Sequence, residues 1–357
     1  MPSSLPAPAA PRVTVVVVTY EAERFVERCF GSLRRAERGG ATVDVVAVDN
    51  GSRDGTVALL RDRFPEVTVV ASGENLGFAE GNNVGIRIAM ERGADFVYLL
   101  NPDTEVTPRF LVEALAVARA RPDAGAVQSL LLLSPERDLV NTAGNAIQFL
   151  GLGYCTRFRE PAASVPDAVA EIAFASGAST LFRTAALRES GLLDEALFLY
   201  QEDLDLGWRL RLAGWNLLLA PRSVVFHEYA FSRNPEKMYW LERNRALVLL
   251  KNLRLRNLLL LAPALLAAEA GLAAVALRGG WFSQKARAWG HMMTPAAWRH
   301  VARGRRAQRA IRKVEDADIV RLWSGDVVFE GLAGSWLDHL ANPALRAVWR
   351  VIRPLLR

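Results

Sequence analysis

Cysteine is nearly absent: Cys29 and Cys155 are the only two in 357 residues. Two isolated thiols form no cysteine-based metal cluster, argue against a disulfide framework and point to a reducing compartment. The opening "MPSSLPAPAAPR" lacks the basic start and long apolar stretch of a secretory signal, and residues 1–11 are expected to be a disordered tail. Neither the dinucleotide fingerprint nor a Walker-type lysine loop occurs, so those two routes to phosphate binding are closed. No internal repeat and no recognisable nucleic-acid reader motif is present.

What the chain does have is apolar mass. Hydrophobic residues make up 51% and charged ones 23%, which supports a large core and excludes wholesale disorder. The length exceeds one small domain, so a catalytic-size domain with an appendage is expected. A net charge of +6 and a pI near 9.7 suit an anionic partner: nucleic acid, an acidic membrane face or a phosphorylated substrate.

Strand and helix signals alternate from residue 12. "RVTVVVVTY" is the β-branched run of a buried parallel strand. Phe25, Val26, Cys29, Phe30 and Leu33 follow at helical spacing. "VDVVAVDN" and "VTVVAS" read as strands with the helix "TVALLRDRF" between them. "NLGFAEGNNVGIRIAMERG" reads as a loop followed by a helix, and "DFVYLL" as a fourth strand. The order implies an α/β domain with a mostly parallel sheet. In such sheets ligands sit beyond the carboxyl ends of the strands. Thr19, Tyr20, Glu21, Asp49, Asn50, Asn75, Asn101 and Asp103 fall there. Pro102 has no amide hydrogen and ends its strand.

Four segments carry chemistry. Asp49 to Gly55 offers a carboxylate and a tight turn at a strand end, suited to a nucleobase or ribose. Asn75 to Gly85 offers amides and small residues just before a helix. Asn101-Pro102-Asp103 presents oxygen ligands of the kind Mg²⁺ and Mn²⁺ prefer. Glu202-Asp203-x-Asp205 packs carboxylates together, which raises one pKa towards that of a general base, and His227 follows at the end of "VVFHE".

The segments "VVVVTYE", "VDNGSRDGT", "NLGFAEGNNVGI", "LLNPDTEV", "FASGASTLFR", "FLYQEDLDLGWRLRLAGW" and "HEYAFSR" together resemble glycosyltransferase family 2, of GT-A fold, and most closely its bacterial rhamnosyltransferase-type members. The resemblance covers about residues 13–252. It implies that Thr19, Tyr20, Glu21 and Asp49 hold the base and ribose of a nucleotide sugar, with Asn75, Gly77 and Asn82 alongside. Asn101 and Asp103 stand where the family has Asp-x-Asp. Asp103 would bind a divalent cation (Mg²⁺ or Mn²⁺) with His227, while Asn101 in place of the first Asp removes one negative charge. Ser176, Gly177 and Ala178 would line the sugar pocket. Asp203 matches the base of an inverting transfer, and Glu202 would orient the acceptor. Arg243 and Asn244 would approach the diphosphate. Asp205 is expected to pair with Arg209, four residues on. The favoured donor is dTDP-rhamnose, with UDP-sugars open, and the acceptor a lipid-linked saccharide of envelope polysaccharide assembly at the cytoplasmic membrane face. Two alternatives stay open: a nucleotidyltransferase making sugar nucleotides, and an inactive membrane-associated scaffold.

The boundaries read as 12–250 for the catalytic domain and 251–357 for a helical, basic, Trp-rich extension. "NLLLLAPALLAAEAGLAAVAL" is nearly all apolar. Trp281, Trp289 and Trp298 then mingle with Arg278, Lys285, Arg287, Arg299, Arg303, Arg305 and Arg306. Tryptophan and arginine beside an apolar helix lead to the expectation of membrane-interface association. A buried helical hairpin is the alternative. A span is disfavoured because Pro263 and Glu269 interrupt the roughly 20 apolar residues it needs.

Overall fold

The structure, a computed structural model, describes residues 10–229, 235–328, 339 and 341–357. Most of the expected N-terminal tail therefore lies outside the described residues, as does the end of "HEYAFSR". In chain order the first half comprises β1 (Arg12–Thr19), α1 (Glu23–Arg35), β2 (Thr42–Asp49), α2 (Thr56–Arg63), β3 (Thr68–Ala71), α3 (Gly77–Glu91), β4 (Phe96–Leu100), β5 (Thr104–Val106), α4 (Phe110–Ala120) and β6 (Ala124–Leu133). Then come β7 (Val140–Thr142), β8 (Asn145–Gln148), β9 (Leu152–Cys155), β10 (Ala170–Glu171), β11 (Ser179–Arg183), α5 (Thr184–Ser190), α6 (Glu202–Leu212) and β12 (Asn216–His227). The described elements that follow are helices: α7 (Pro235–Asn252), α8 (Leu255–Arg278), α9 (Phe282–Met292), α10 (Pro295–Ile311), α11 (Asp316–Val320) and α12 (Asn342–Ile352).

The main sheet runs β10-β12-β6-β11-β4-β1-β2-β3, with β5 added to β12 and β7 to β6. The pairs β1–β2, β1–β4, β2–β3 and β6–β12 are parallel, and β11 lies antiparallel between β4 and β6. Alternation along β1 assigns its two faces. Val13, Val15 and Val17 pack with Cys29 and Phe30 of α1, Leu60 of α2 and Phe110 of α4. Val16 packs on the opposite face with Ala79 and Ile86 of α3, Ala186 of α5 and Leu206 of α6. Inside the sheet, the Tyr98 hydroxyl lies 2.6 Å from Ser129 Oγ and 2.7 Å from Ser179 Oγ, so its buried oxygen is satisfied.

One expectation needs correction. A loop does lead into a helix after Asn75, but Gly77 to Gly85 do not precede that helix: α3 begins at Gly77 and contains Gly81, Asn82, Asn83 and Gly85. The small residues serve packing. A Cβ on Gly85 would lie 2.3 Å from Val16 Cγ1, so glycine lets α3 press against β1.

The later helices share a core with the sheet domain. Trp208 of α6 and Phe149 cluster with Leu247 of α7, Leu261 of α8, Val301 of α10, and Trp323 and Trp349. The composition changes at about residue 251, yet α7 runs unbroken to Asn252.

Candidate active site

Register brings the polar residues to one rim. Thr19 pairs with Asp49 across β1–β2, Val17 with Leu100 across β1–β4, and Ser179 with Leu100 across β4–β11. Thr19 Oγ1 donates to Asp49 Oδ1 at 2.9 Å; Ser52 adds its hydroxyl to Oδ1 and its backbone N–H to Oδ2. Oδ1 is thereby filled, and Oδ2 keeps one lone pair for an incoming N–H or O–H. Tyr20, Glu21 and Asn75 are exposed beside this buried carboxylate. Glu21 has φ 48°, fixed by its N–H to Ser52 Oγ and by Arg53 N–H donating to its side chain. Asn75 Oδ1 accepts from Gly77 N–H at 2.9 Å. Asn82 is buried in α3 and bonds Phe78 O, so its amide hydrogens point along its own helix.

Asp103 and His227 meet because β5 pairs antiparallel with β12, placing Thr104 opposite His227. His227 Nε2 lies 3.3 Å from Asp103 Oδ1, a buried oxygen with no hydrogen-bond partner. On the other side of the ring, Nδ1 lies 2.8 Å from Asn141 Oδ1. With Nδ1–H donated to Asn141, a neutral imidazole turns the Nε2 lone pair towards the carboxylate. Two acceptors then face each other, an arrangement that calls for a proton or a metal ion. Asn141, from β7, was not found from sequence: nothing in "LVNTAG" marks it, and only the docking of β7 on β6 brings it to His227. Among the described residues no group of three His, Cys, Asp or Glu could hold an ion. The pair would therefore need oxygens from elsewhere, as Mg²⁺ and Mn²⁺ sites commonly take from phosphates.

Asp203 and Asn101 both bond the segment Ser176–Ala178. Asp203 Oδ2 accepts from Gly177 N–H at 3.3 Å, and Asn101 N–H in turn donates to Ala178 O. The segment Ser176–Ala178 is thus clamped between the ends of β4 and α6. Gly177 lets the Phe78 ring lie against the turn: a Cβ there would lie 2.9 Å from the ring. Ser176 N–H is held by Gln128 Oε1 at 2.8 Å. Burial pushes the Asp203 carboxyl up to about 6, against backbone N–H donors from Gly177 and Leu204 that lower it. Glu202 is raised well above the usual carboxylate range, first by burial and next by the neighbouring Asp203 charge, and its Oε2 is buried without a partner. The approach to these acids is strained: Phe198, Tyr200 and Gln201 have φ of 61°, 66° and 69°.

Asn244 holds that approach. Its Nδ2 lies within 2.9 Å of Leu197 O, Leu199 O and Tyr200 O, and its Oδ1 accepts from Arg243 Nε. Arg243 also bonds Ala196 O and stacks on Trp240. Both residues, expected to approach the diphosphate, are buried and secure the loop that carries Glu202 and Asp203. Asp205 is buried as well, with Arg209 Nε at 2.9 Å as expected from their spacing, and with Lys251 and Asn252 as further partners.

The α/β arrangement and its rim are those of a GT-A, nucleotide-diphospho-sugar transferase fold. A solved structure of GalNAc-T7 with UDP, GalNAc and Mn²⁺ matches with a TM-score of 0.55 at 15% identity, over 67% of this chain and 48% of that one. This chain therefore spans about half the length of that protein, and the likeness bears on the fold alone. The family described as "Glycosyltransferase like family 2" matches residues 11–247, and the chain belongs to it. An N-acetylglucosaminyl-diphospho-decaprenol L-rhamnosyltransferase of Mycobacterium tuberculosis is 30% identical over 239 residues, 61% of this chain and 76% of that protein. A low-salt glycan biosynthesis hexosyltransferase, Agl10 of Haloferax volcanii, is 22% identical over 213 residues, 57% of this chain and 63% of that protein.

Proposed function

We propose that this chain is an inverting glycosyltransferase that moves a sugar, rhamnose favoured, from a nucleoside-diphosphate donor to a hydroxyl of a lipid-linked saccharide. The observation that carries it is the pair of facing acceptors, Asp103 Oδ1 and His227 Nε2, on the same rim as the raised carboxyl of Asp203. The donor set fits a divalent cation: one carboxylate and one imidazole whose far nitrogen is engaged by Asn141. When bound, such an ion offsets charge on the donor's diphosphate. The rhamnosyltransferase relative supports the sugar and a diphospho-lipid acceptor.

Asp49 receives a donor group from the nucleoside through Oδ2, while Tyr20, Glu21 and Asn75 border it. Gly177 leaves room at the sugar. The acceptor oxygen attacks the anomeric carbon as the bond from that carbon to the diphosphate oxygen breaks, and Asp203 receives the hydroxyl proton. Glu202, close by and raised above the usual carboxylate range by burial, can hydrogen-bond another oxygen of the acceptor. Loop 198–201, pinned by Asn244, fixes both acids against the Ser176–Ala178 turn.

The extension supports a membrane surface as the working location. Helix α8 is the one described helix long and apolar enough to cross a membrane, and little of it is buried. Its exposed stripe runs Leu255, Leu259, Pro263, Leu266, Ala270, Ala274 and Leu277, bounded by Arg256 and Arg278. A helix that turns its apolar stripe outward is not the buried hairpin considered from sequence. Its inner side is tied down by charge: Glu269 meets Arg245, Lys285 and Trp289 Nε1. Lys285 is therefore buried rather than at an interface. We place the enzyme peripherally on the cytoplasmic membrane face, with α8 lying in the interface.

The test is a panel of nucleotide sugars, dTDP-rhamnose and UDP-hexoses included, incubated with a lipid-linked acceptor and Mn²⁺ or Mg²⁺. Release of nucleoside diphosphate is expected. In a parallel arm with added pyrophosphate, formation of nucleoside triphosphate and sugar 1-phosphate from the nucleotide sugar would mark a nucleotidyltransferase, and no turnover of any donor with any ion would mark a scaffold.

A further inference from the structure

A cavity of about 510 Å³ opens where α7, α8 and α10 meet, apart from the rim described above. Six cations line it: Lys251, Arg254, Arg305, Arg309, Arg312 and Lys313; Glu315 is the one acid in its wall. Four of the six are already matched. Lys251 lies on Asp194 and Asp205, Arg254 on Glu315, Arg312 on Asp316, and Lys313 on Glu189. Arg305 and Arg309 are not. Arg305 Nη1 reaches only the carbonyls of Leu250 and Leu253, and Arg309 has no hydrogen-bond or ion-pair partner among the described residues.

These two guanidiniums sit four residues apart, so they share one face of α10. Their charge crowds: Arg305 is pulled below the usual arginine range, first by burial and next by Arg309 and Arg312. The wall also includes Leu255, the first residue of a 24-residue helix whose N-cap, Arg254, supplies no capping side chain. The partial positive charge of that helix start adds to the cations. Leu255 is also the first residue of the exposed apolar stripe, so the cavity opens at the level where α8 would meet lipid headgroups.

We infer that this cavity binds a phosphate or diphosphate group, held by Arg305 and Arg309 beside the start of α8. Arginine suits it because the planar guanidinium matches phosphate oxygens in pairs. The group has two sources, a soluble phosphate compound or the headgroup of a lipid in the membrane under α8.

Two arms of one experiment separate them, using the full chain without divalent ions. The first titrates inorganic pyrophosphate by calorimetry into wild type, Arg309→Gln, Arg306→Gln and Asp103→Ala. Arg306 is exposed on α10 but outside the cavity wall, so it controls for the loss of one charge. The second measures sedimentation with phosphatidylcholine vesicles, with and without phosphatidylglycerol. Arg309→Gln should bind pyrophosphate about tenfold more weakly, as for one lost charged hydrogen-bond pair, with Arg306→Gln near wild type. Asp103→Ala should bind as wild type does, so loss of the proposed catalytic role leaves this site standing. If Arg309→Gln also loses the extra binding that phosphatidylglycerol confers, the headgroup is the source; if only the pyrophosphate arm falls, the ligand is soluble. Arm values in Arg309→Gln that match wild type in both, or that fall equally in Arg306→Gln, overturn the inference. Exposure of Arg309 predicts an unchanged melting temperature, to be measured alongside.

Discussion

Asp203→Asn separates chemistry from structure more sharply than any other single change. In the wild type Oδ1 accepts from Leu204 N–H at 2.7 Å and Oδ2 from Gly177 N–H at 3.3 Å. Asparagine keeps the shorter bond and turns an NH₂ towards Gly177, losing one weak bond worth about 0.5–1.5 kcal/mol. Set against this, the variant no longer ionises in a buried place. The folded-state carboxyl titrates at about 6, above its ordinary 3.8, so the fold gains stability below 3.8 and loses it as pH rises through that window. At pH 7.5 a neutral side chain avoids that loss, and the melting temperature should equal or exceed wild type. Turnover should move the other way. Removing a general base lowers the rate by on the order of 10²–10⁴-fold, with donor binding unchanged. Calorimetry with donor, thermal melting and released nucleoside diphosphate read the three quantities. An Asn variant turning over within about threefold of wild type would refute the base assignment, because a positioned general base contributes far more.

The same carboxyl sets a pH limb. kcat/KM should rise with pH through an inflection near 6 in wild type, as Asp203 loses its proton, and a profile flat from pH 5 to 8 would contradict it. Asn141→Leu leaves His227 Nδ1 without its partner, so Mn²⁺ binding, read by electron paramagnetic resonance, should weaken about 10–100-fold. Gly77→Ala places a methyl 2.5 Å from the Phe198 ring at φ +77°, and should lower stability by more than about 2 kcal/mol in denaturant melts. Leu266→Glu, at a position 71% exposed on the α8 stripe, should cut vesicle sedimentation at least about tenfold without changing the melting temperature. Equal sedimentation would remove the membrane placement.

The sheet domain was legible because its strands are short apolar runs with clear turn chemistry at their ends, and most helices carry a simple apolar period. Rim residues followed from strand order alone: once β1, β2 and β4 are parallel neighbours, Thr19, Asp49 and Asn101 must share an edge. The early start of α3 is hidden because Gly81, Asn82 and Gly85 have loop composition, while the glycines serve close approaches that only tertiary structure reveals, Gly81 to Asn50 and Val18 and Gly85 to Val16. The loop-holding contacts of Arg243 and Asn244 were hidden for the same kind of reason. A buried asparagine holding three carbonyls of a strained loop has no local signature. Asn141 was invisible because it depends on a three-residue strand at a sheet edge. In the extension the apolar run was plain, yet which of its faces is covered depends on the Glu269 ion pairs with residues from α7 and α9.

The central claim is that Asp103 and His227 hold a divalent cation under the donor's diphosphate, opposite Asp203. Calorimetric titration of nucleoside diphosphate with and without Mn²⁺ tests it most directly, in wild type, Asp103→Ala and Asp203→Asn. Mn²⁺ should strengthen binding in wild type and Asp203→Asn, and the increment should vanish in Asp103→Ala. An increment that survives in Asp103→Ala at its wild-type size would contradict the account.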